Sequence, residues 1–74
     1  MARVDIVSEI AGKVWQIKVK SGDPVEQDDP VIILESMKME IPVAAPAAGS
    51  IVEILVSEEE LVSENQTLAV METG

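Results

Sequence analysis

Seven consecutive residues near the middle of the chain, Glu35-Ser36-Met37-Lys38-Met39-Glu40-Ile41, form the one stretch that does not read as ordinary scaffold. A β-rich run ends at Leu34 and another is expected over 39–43, so a turn must fall between them. Two-residue hairpin turns ordinarily use Asn-Gly or Asp-Gly, which accept positive φ cheaply. Here the turn holds a Lys with a Met on either side. The chemistry open to such a residue is that of its primary amine, which has to be reachable to be of use. A bland account also exists, because Met is adaptable filler and Lys is a common surface residue. The tripeptide by itself does not decide between them.

Composition removes most other chemistry. The 74 residues include no Cys and no His, so thiol, imidazole and triad catalysis lack the side chains they need. No disulfide or zinc site can support a small core either. An enzyme is therefore not expected, and no metal site. Glu58-Glu59-Glu60 lacks the spaced ligands and turn glycine of a calcium loop, and reads as a solvated loop. Five basic residues against 14 acidic ones leave a net charge of −9. Phosphate backbones and anionic lipid surfaces repel such a chain, so neither nucleic acid nor membrane is expected as a partner. No apolar run approaches the roughly 20 residues of a membrane span, and Met-Ala-Arg-Val-Asp has no signal-peptide core. The expectations are a cytoplasmic location and, with no oligomer signal, a monomer; Met1 suits a free-standing chain, and an excised domain given a start codon would look the same.

The elements that must position Lys38 emerge from an internal repeat. Offset by 37 residues, Gly12 falls on Gly49, Ile17 on Ile54, Val19 on Val56, Val25 on Val62 and Glu35 on Glu72. Val14 on Ile51, Asp23 on Glu60, Asp28 on Asn65, Leu34 on Met71 and Ser36 on Thr73 are conservative matches, and no gap is needed. One domain over 1–74 is expected, with repeat halves 1–37 and 38–74 and a pseudo-two-fold between them. Trp15, Ile17 and Val19 alternate with polar residues, as do Val52, Ile54 and Val56 less cleanly, so these runs read as half-buried strands. Glycines and prolines cut the chain too often for a helix. Asp28 and Asn65 each suit a tight left-handed turn.

Eight strands follow, near 4–8, 13–19, 25–26, 31–36, 39–43, 50–56, 62–63 and 67–72. The fold class is all-β, a flattened barrel-sandwich of two antiparallel four-stranded sheets.

Glu35-Ser36-Met37-Lys38-Met39 is similar to the attachment signature of biotinyl and lipoyl carrier domains. The resemblance covers essentially the whole chain, including Gly12, the Val19-Lys20-Ser21-Gly22-Asp23-Pro24-Val25 turn, the strand into Leu34, and Pro46 through Gly49. The chain resembles free-standing biotin/lipoyl attachment proteins and biotin carboxyl carrier domains. In this family the modified lysine sits on an exposed hairpin between two pseudo-symmetric halves, the position that the repeat gives Lys38. Ser36 stands where many biotinyl domains carry Ala. Glu59-Glu60 replaces a frequent Gly-Asp, and Asp28 and Asn65 replace frequent glycines. The gapless halves leave no room for the protruding thumb of some bacterial carriers.

The resemblance implies a biotin carrier with biotin attached covalently to Lys38. Met37 and Met39 would be contacts to the ligase or the cofactor arm, and Glu35, Ser36 and Glu40 would serve recognition. It implies a biotin protein ligase as modifying enzyme, with biotin carboxylase and carboxyltransferase components acting in trans. The tethered group would accept a carboxyl at one active site and deliver it at another, the carrier catalysing nothing. Lipoate on the same lysine is the first alternative, although lipoyl domains usually carry Asp before it and Ala or Ser after it. An unmodified structural or interaction module is the second.

Overall fold

The computed structural model describes residues 2–73. It contains β1 Ala2–Val7, β2 Gly12–Ile17, β3 Pro24–Val25, β4 Pro30–Ser36, β5 Met39–Ala44, β6 Gly49–Ile54, β7 Leu61–Val62 and β8 Thr67–Thr73, and no helix among the described residues. One antiparallel sheet has the order β1-β8-β6-β3 and the other β5-β4-β2-β7. The all-β class and the two four-stranded sheets are thus as the sequence led us to expect.

The bounds of β5 to β8 are those of β1 to β4 advanced by 37. The same shift turns one sheet order into the other. Each sheet therefore takes its two central strands from one half and both edge strands from the other, and the halves are interlocked. Backbone hydrogen bonds repeat in the same way. The Gly22 N–H donates to the Ile51 carbonyl at 2.7 Å, and the Glu59 N–H donates to the Val14 carbonyl at 2.7 Å. The Ile51 N–H donates to Asp23, and the Val14 N–H to Glu60, each at 2.8 Å.

Turns obey the repeat even where residue types differ. Gly22 has φ 92° and its counterpart Glu59 has φ 77°. A Glu has replaced the more permissive Gly without changing the backbone, at a cost of roughly 1–2 kcal/mol for the left-handed conformation. Asp28 and Asn65 both take positive φ, 73° and 68°. The Asp23 carboxylate accepts from the Lys20 N–H and the Glu60 carboxylate from the Ser57 N–H, both at 3.0 Å. Asp29 and Gln66 do the same for Glu26 and Ser63.

The core lies between the sheets. Ile6, Val14, Val31, Ile32, Leu34, Ile51, Leu68, Ala69 and Met71 are all buried within it. Simple alternation misplaces one of the expected faces. The register shifts between Val14 and Gln16 and again between Ile51 and Glu53. At these bulges the extra residue breaks the period of two. Val14 and Ile51 consequently point inward, while Trp15 remains 46% exposed. Strand ends also differ slightly from expectation. The runs expected to reach 19 and 56 stop pairing at Ile17 and Ile54, beyond which single bonds from Lys18 to Val31 and from Leu55 to Leu68 hold the chain. Pro24 and Pro30 each open a strand, where a missing N–H does least harm.

Two glycines let strands approach closely. A Cβ on Gly12 would stand 2.9 Å from the Glu35 carbonyl oxygen, and one on Gly49 only 2.0 Å from that of Glu72. We expect Gly49→Ala to lower unfolding free energy by about 2–3 kcal/mol, the upper range for a forced backbone shift. Gly12→Ala should cost less. Urea denaturation of both variants checks the order through the midpoints at unchanged slope.

Candidate functional site: the turn between β4 and β5

Antiparallel pairing of β4 with β5 runs Leu34↔Ile41, Glu35↔Glu40 and Ser36↔Met39, leaving Met37 and Lys38 as the two residues of the turn. Both have positive φ, 52° and 65°. Those signs belong to the primed turns that match the twist of a hairpin, a geometry usually given to Asn-Gly. Neither Met nor Lys has a side chain suited to it. At roughly 1–2 kcal/mol per residue the left-handed backbone is held only because the paired strands impose it. Leu34, fully buried one pair below Glu35, anchors those strands in the core.

Met37 is 91% exposed and Met39 63% exposed. Lys38, Glu35 and Glu40 are exposed, and Ser36 is half-buried. Among the described residues the one ion pair is Lys13 with Glu59, at 3.1 Å. The ammonium of Lys38 therefore stands in solvent without an acidic partner among them. Glu35 and Glu40 face each other across the strands, two like charges that repel at the foot of the turn. Lys13 pairs with Glu35 from β2. The hydrogen bond that Lys13 Nζ donates to Glu59, then that carboxylate's charge, holds the Lys13 amine above its ordinary value, with Glu35 adding a little. Because the folded value is raised, this contribution is present at neutral pH and fades as pH rises through it. It is screened in salt.

All the residues singled out in the sequence, Glu35, Ser36, Met37, Lys38, Met39 and Glu40, fall on this one hairpin. Sequence reasoning missed how Gly12 seats it. The absent side chain at Gly12 lets β2 lie against the Glu35 carbonyl and the Ser36 Cβ, at the base of the turn. Its place in the repeat, opposite Gly49, was the available signal. Glu58-Glu59-Glu60 is exposed, as expected of a solvated loop, yet every carboxylate has a task. Glu58 accepts from the Ile17 N–H at 3.2 Å, Glu59 pairs with Lys13, and Glu60 caps Ser57. A groove of about 400 Å³ is lined by Ile6, Val7 and Val43 together with Asp5 and Glu9. It does not include residues 35–40.

An all-β sandwich of two interlocked halves presents an exposed lysine on the turn that joins them, as the resemblance to biotinyl and lipoyl domains leads one to expect. The comparison with known proteins agrees. The family model described as "Biotin-requiring enzyme" matches residues 4–71, and the chain belongs to this biotin/lipoyl family. It is similar to the biotin/lipoyl attachment protein of Bacillus subtilis (strain 168), with 43% identity over 60 residues, 81% of this chain and 82% of that one. It is also similar to the biotinylated protein TB7.3 homolog of Mycobacterium leprae (strain TN), with 37% identity over 67 residues, 90% of this chain and 94% of that one. Among solved structures, the Kluyveromyces lactis urea carboxylase superposes with a TM-score of 0.91 at 33% identity. That match covers 97% of this chain and 6% of the carboxylase.

The turn's strain can be measured. Replacing both residues, Met37→Asn with Lys38→Gly, supplies the pair that favours positive φ. We expect the double variant to unfold at higher urea, more stable by about 1–2 kcal/mol. An unchanged midpoint would mean that the turn stores no such strain.

Proposed function

We propose that this protein is a biotin carrier, modified covalently on Lys38, and that it passes a carboxyl group between active sites of a biotin-dependent carboxylase system. The observation that carries the reading is the unpaired, exposed lysine on a strained two-residue turn. Membership of the family, a biotinylated relative and a carboxylase structure containing the same fold support it.

The residues present fit the group. Amide formation needs a reachable amine, and the turn offers one with no carboxylate to compete for it among the described residues. Amide formation displaces a proton from Nζ, so the ligase has to accept that proton as Nζ bonds to the activated carboxyl carbon. Met37 and Met39 flank that nitrogen with soft apolar surface for the ligase or the arm. Glu35 and Glu40, with half-buried Ser36, set the charge and width of the hairpin's base and suit a basic partner surface. When bound, biotin supplies the nucleophilic nitrogen that carries the carboxyl group. The protein's own task is presentation, and the chemistry belongs to a biotin protein ligase, a biotin carboxylase and a carboxyltransferase, reached in trans by one cytoplasmic domain spanning 1–74. Tethering keeps the cofactor at high local concentration at each site.

Intact mass of protein purified from its own host separates the readings. A biotin-sized increment is expected. A lipoyl-sized increment would move the protein to the lipoyl branch, and no increment would make it an unmodified module. Lys38→Arg should abolish labelling by a biotin protein ligase while leaving the unfolding midpoint within about 0.5 kcal/mol, since an exposed tip packs against nothing. Labelling that persists and maps to Lys13, Lys18 or Lys20 would overturn the assignment. Presentation by the fold is tested separately. Exchanging Met37 and Lys38 keeps composition and charge but turns the amine along the strand, and an amine displaced by even ~1 Å reacts far more slowly. Its labelling should fall by at least about tenfold, and wild-type labelling of this variant would mean that a linear peptide is read.

A further inference from the structure

We propose that Met37 and Met39 are a site of reversible oxidation, and that their sulfoxides block modification of Lys38. The proposal rests on the reading of Lys38 as the attachment residue. Its independent ground is the distribution of sulfur. The chain has four Met and no Cys, so thioethers are its whole supply of oxidisable sulfur. Met71, in β8, is completely buried, whereas Met37 and Met39 are 91% and 63% exposed. Both flank the reactive amine directly. Any enzyme that reaches Nζ of Lys38 must therefore lay its surface against at least one of them.

The chemistry is oxygen transfer from a hydroperoxide. The thioether sulfur attacks the outer peroxide oxygen, the S–O bond forms, and the O–O bond breaks. Sulfur is oxidised by two electrons, and the other oxygen leaves as water with hydrogen peroxide, or as an alcohol with an organic peroxide. A methionine sulfoxide reductase reverses the change, releasing the oxygen as water while a dithiol is oxidised to a disulfide. Accessibility governs the rate, which favours the turn over the core. Oxidation replaces a flexible apolar end with a polar one. In the free protein both methionines are exposed, so the fold does not register the change. The partner that must desolvate the turn does.

The test uses the full chain, without attached cofactor, and dilute hydrogen peroxide. Cleavage after glutamate separates residues 36–40, which hold Met37 and Met39, from residues 65–72, which hold Met71. Oxygen should enter 36–40 at least about tenfold faster than 65–72, while the thermal midpoint stays put. The labelling rate with a biotin protein ligase should fall about tenfold or more, the loss of one apolar side chain's contact. Methionine sulfoxide reductase with dithiothreitol should restore it. In the variant Met37→Leu with Met39→Leu, whatever its own rate, peroxide should leave that rate unchanged. Equal labelling of oxidised and reduced wild type overturns the proposal, as does equal oxidation of Met71 or a peroxide effect that survives in the double variant. Failure of the untreated wild type to be labelled is a different result, because it overturns the attachment reading itself.

Discussion

Everything in this molecule depends on the reciprocal exchange of an edge strand and its turn between the two halves. The turn before β3 bonds to β6 through Gly22 and Asp23, and the turn before β7 bonds to β2 through Glu59 and Glu60. Neither half can close its sheet alone, so neither holds a complete core. A domain of this size buries only about 60% of the surface its chain exposes when unfolded, and without cysteine it has no disulfide to add. Interlocking makes one thin core from two incomplete ones. The link from β4 to β5 is then fixed at both ends, although its own residues contribute nothing to packing.

That arrangement explains how a Met-Lys turn survives. The two residues occupy backbone conformations that their side chains disfavour, yet each flanking strand is paired to its neighbour along its length. Gly12 removes the last obstacle beneath the hairpin, allowing β2 to meet the Glu35 backbone. Repulsion between Glu35 and Glu40 adds a second locally unfavourable feature at the same place. Local preference gives way at this turn, and the sheets absorb the difference.

The sequence revealed the repeat, the eight strands and the hairpin, because hydrophobic runs punctuated by proline and glycine survive divergence of the halves. It was less clear on inward-facing residues. Trp15, the largest apolar side chain, shares the alternation of Ile17 and Val19, but the bulge after Val14 turns Val14 inward in its place while Ile17 stays against the core. A bulge leaves no composition mark, and only its recurrence between Ile51 and Glu53 makes it systematic. Glu59 was equally opaque, since nothing in a glutamate announces a left-handed backbone. Its counterpart Gly22 did so only once the repeat was aligned. The tasks of Glu58, Glu59 and Glu60 depend on contacts with Ile17, Lys13 and Ser57, two of them distant in the chain. Lys38 could be singled out because a turn without turn residues is conspicuous in sequence.

The pseudo-two-fold has a topological corollary. Ala2 pairs with Thr73 at the mouth of β1 and β8, as Met39 pairs with Ser36 at the turn between β5 and β4. The shift of 37 carries one pair into the other, so residues 2 and 73 stand as though a hairpin had been opened between them. A polypeptide entering at one leaves beside the other, which allows the sandwich to be spliced into a host loop without spreading it. The same geometry makes the domain circularly permutable, with a short bridge across 2 and 73 and a cut elsewhere. A Met-Lys bridge there would give a two-headed molecule bearing equivalent amines on symmetry-related turns.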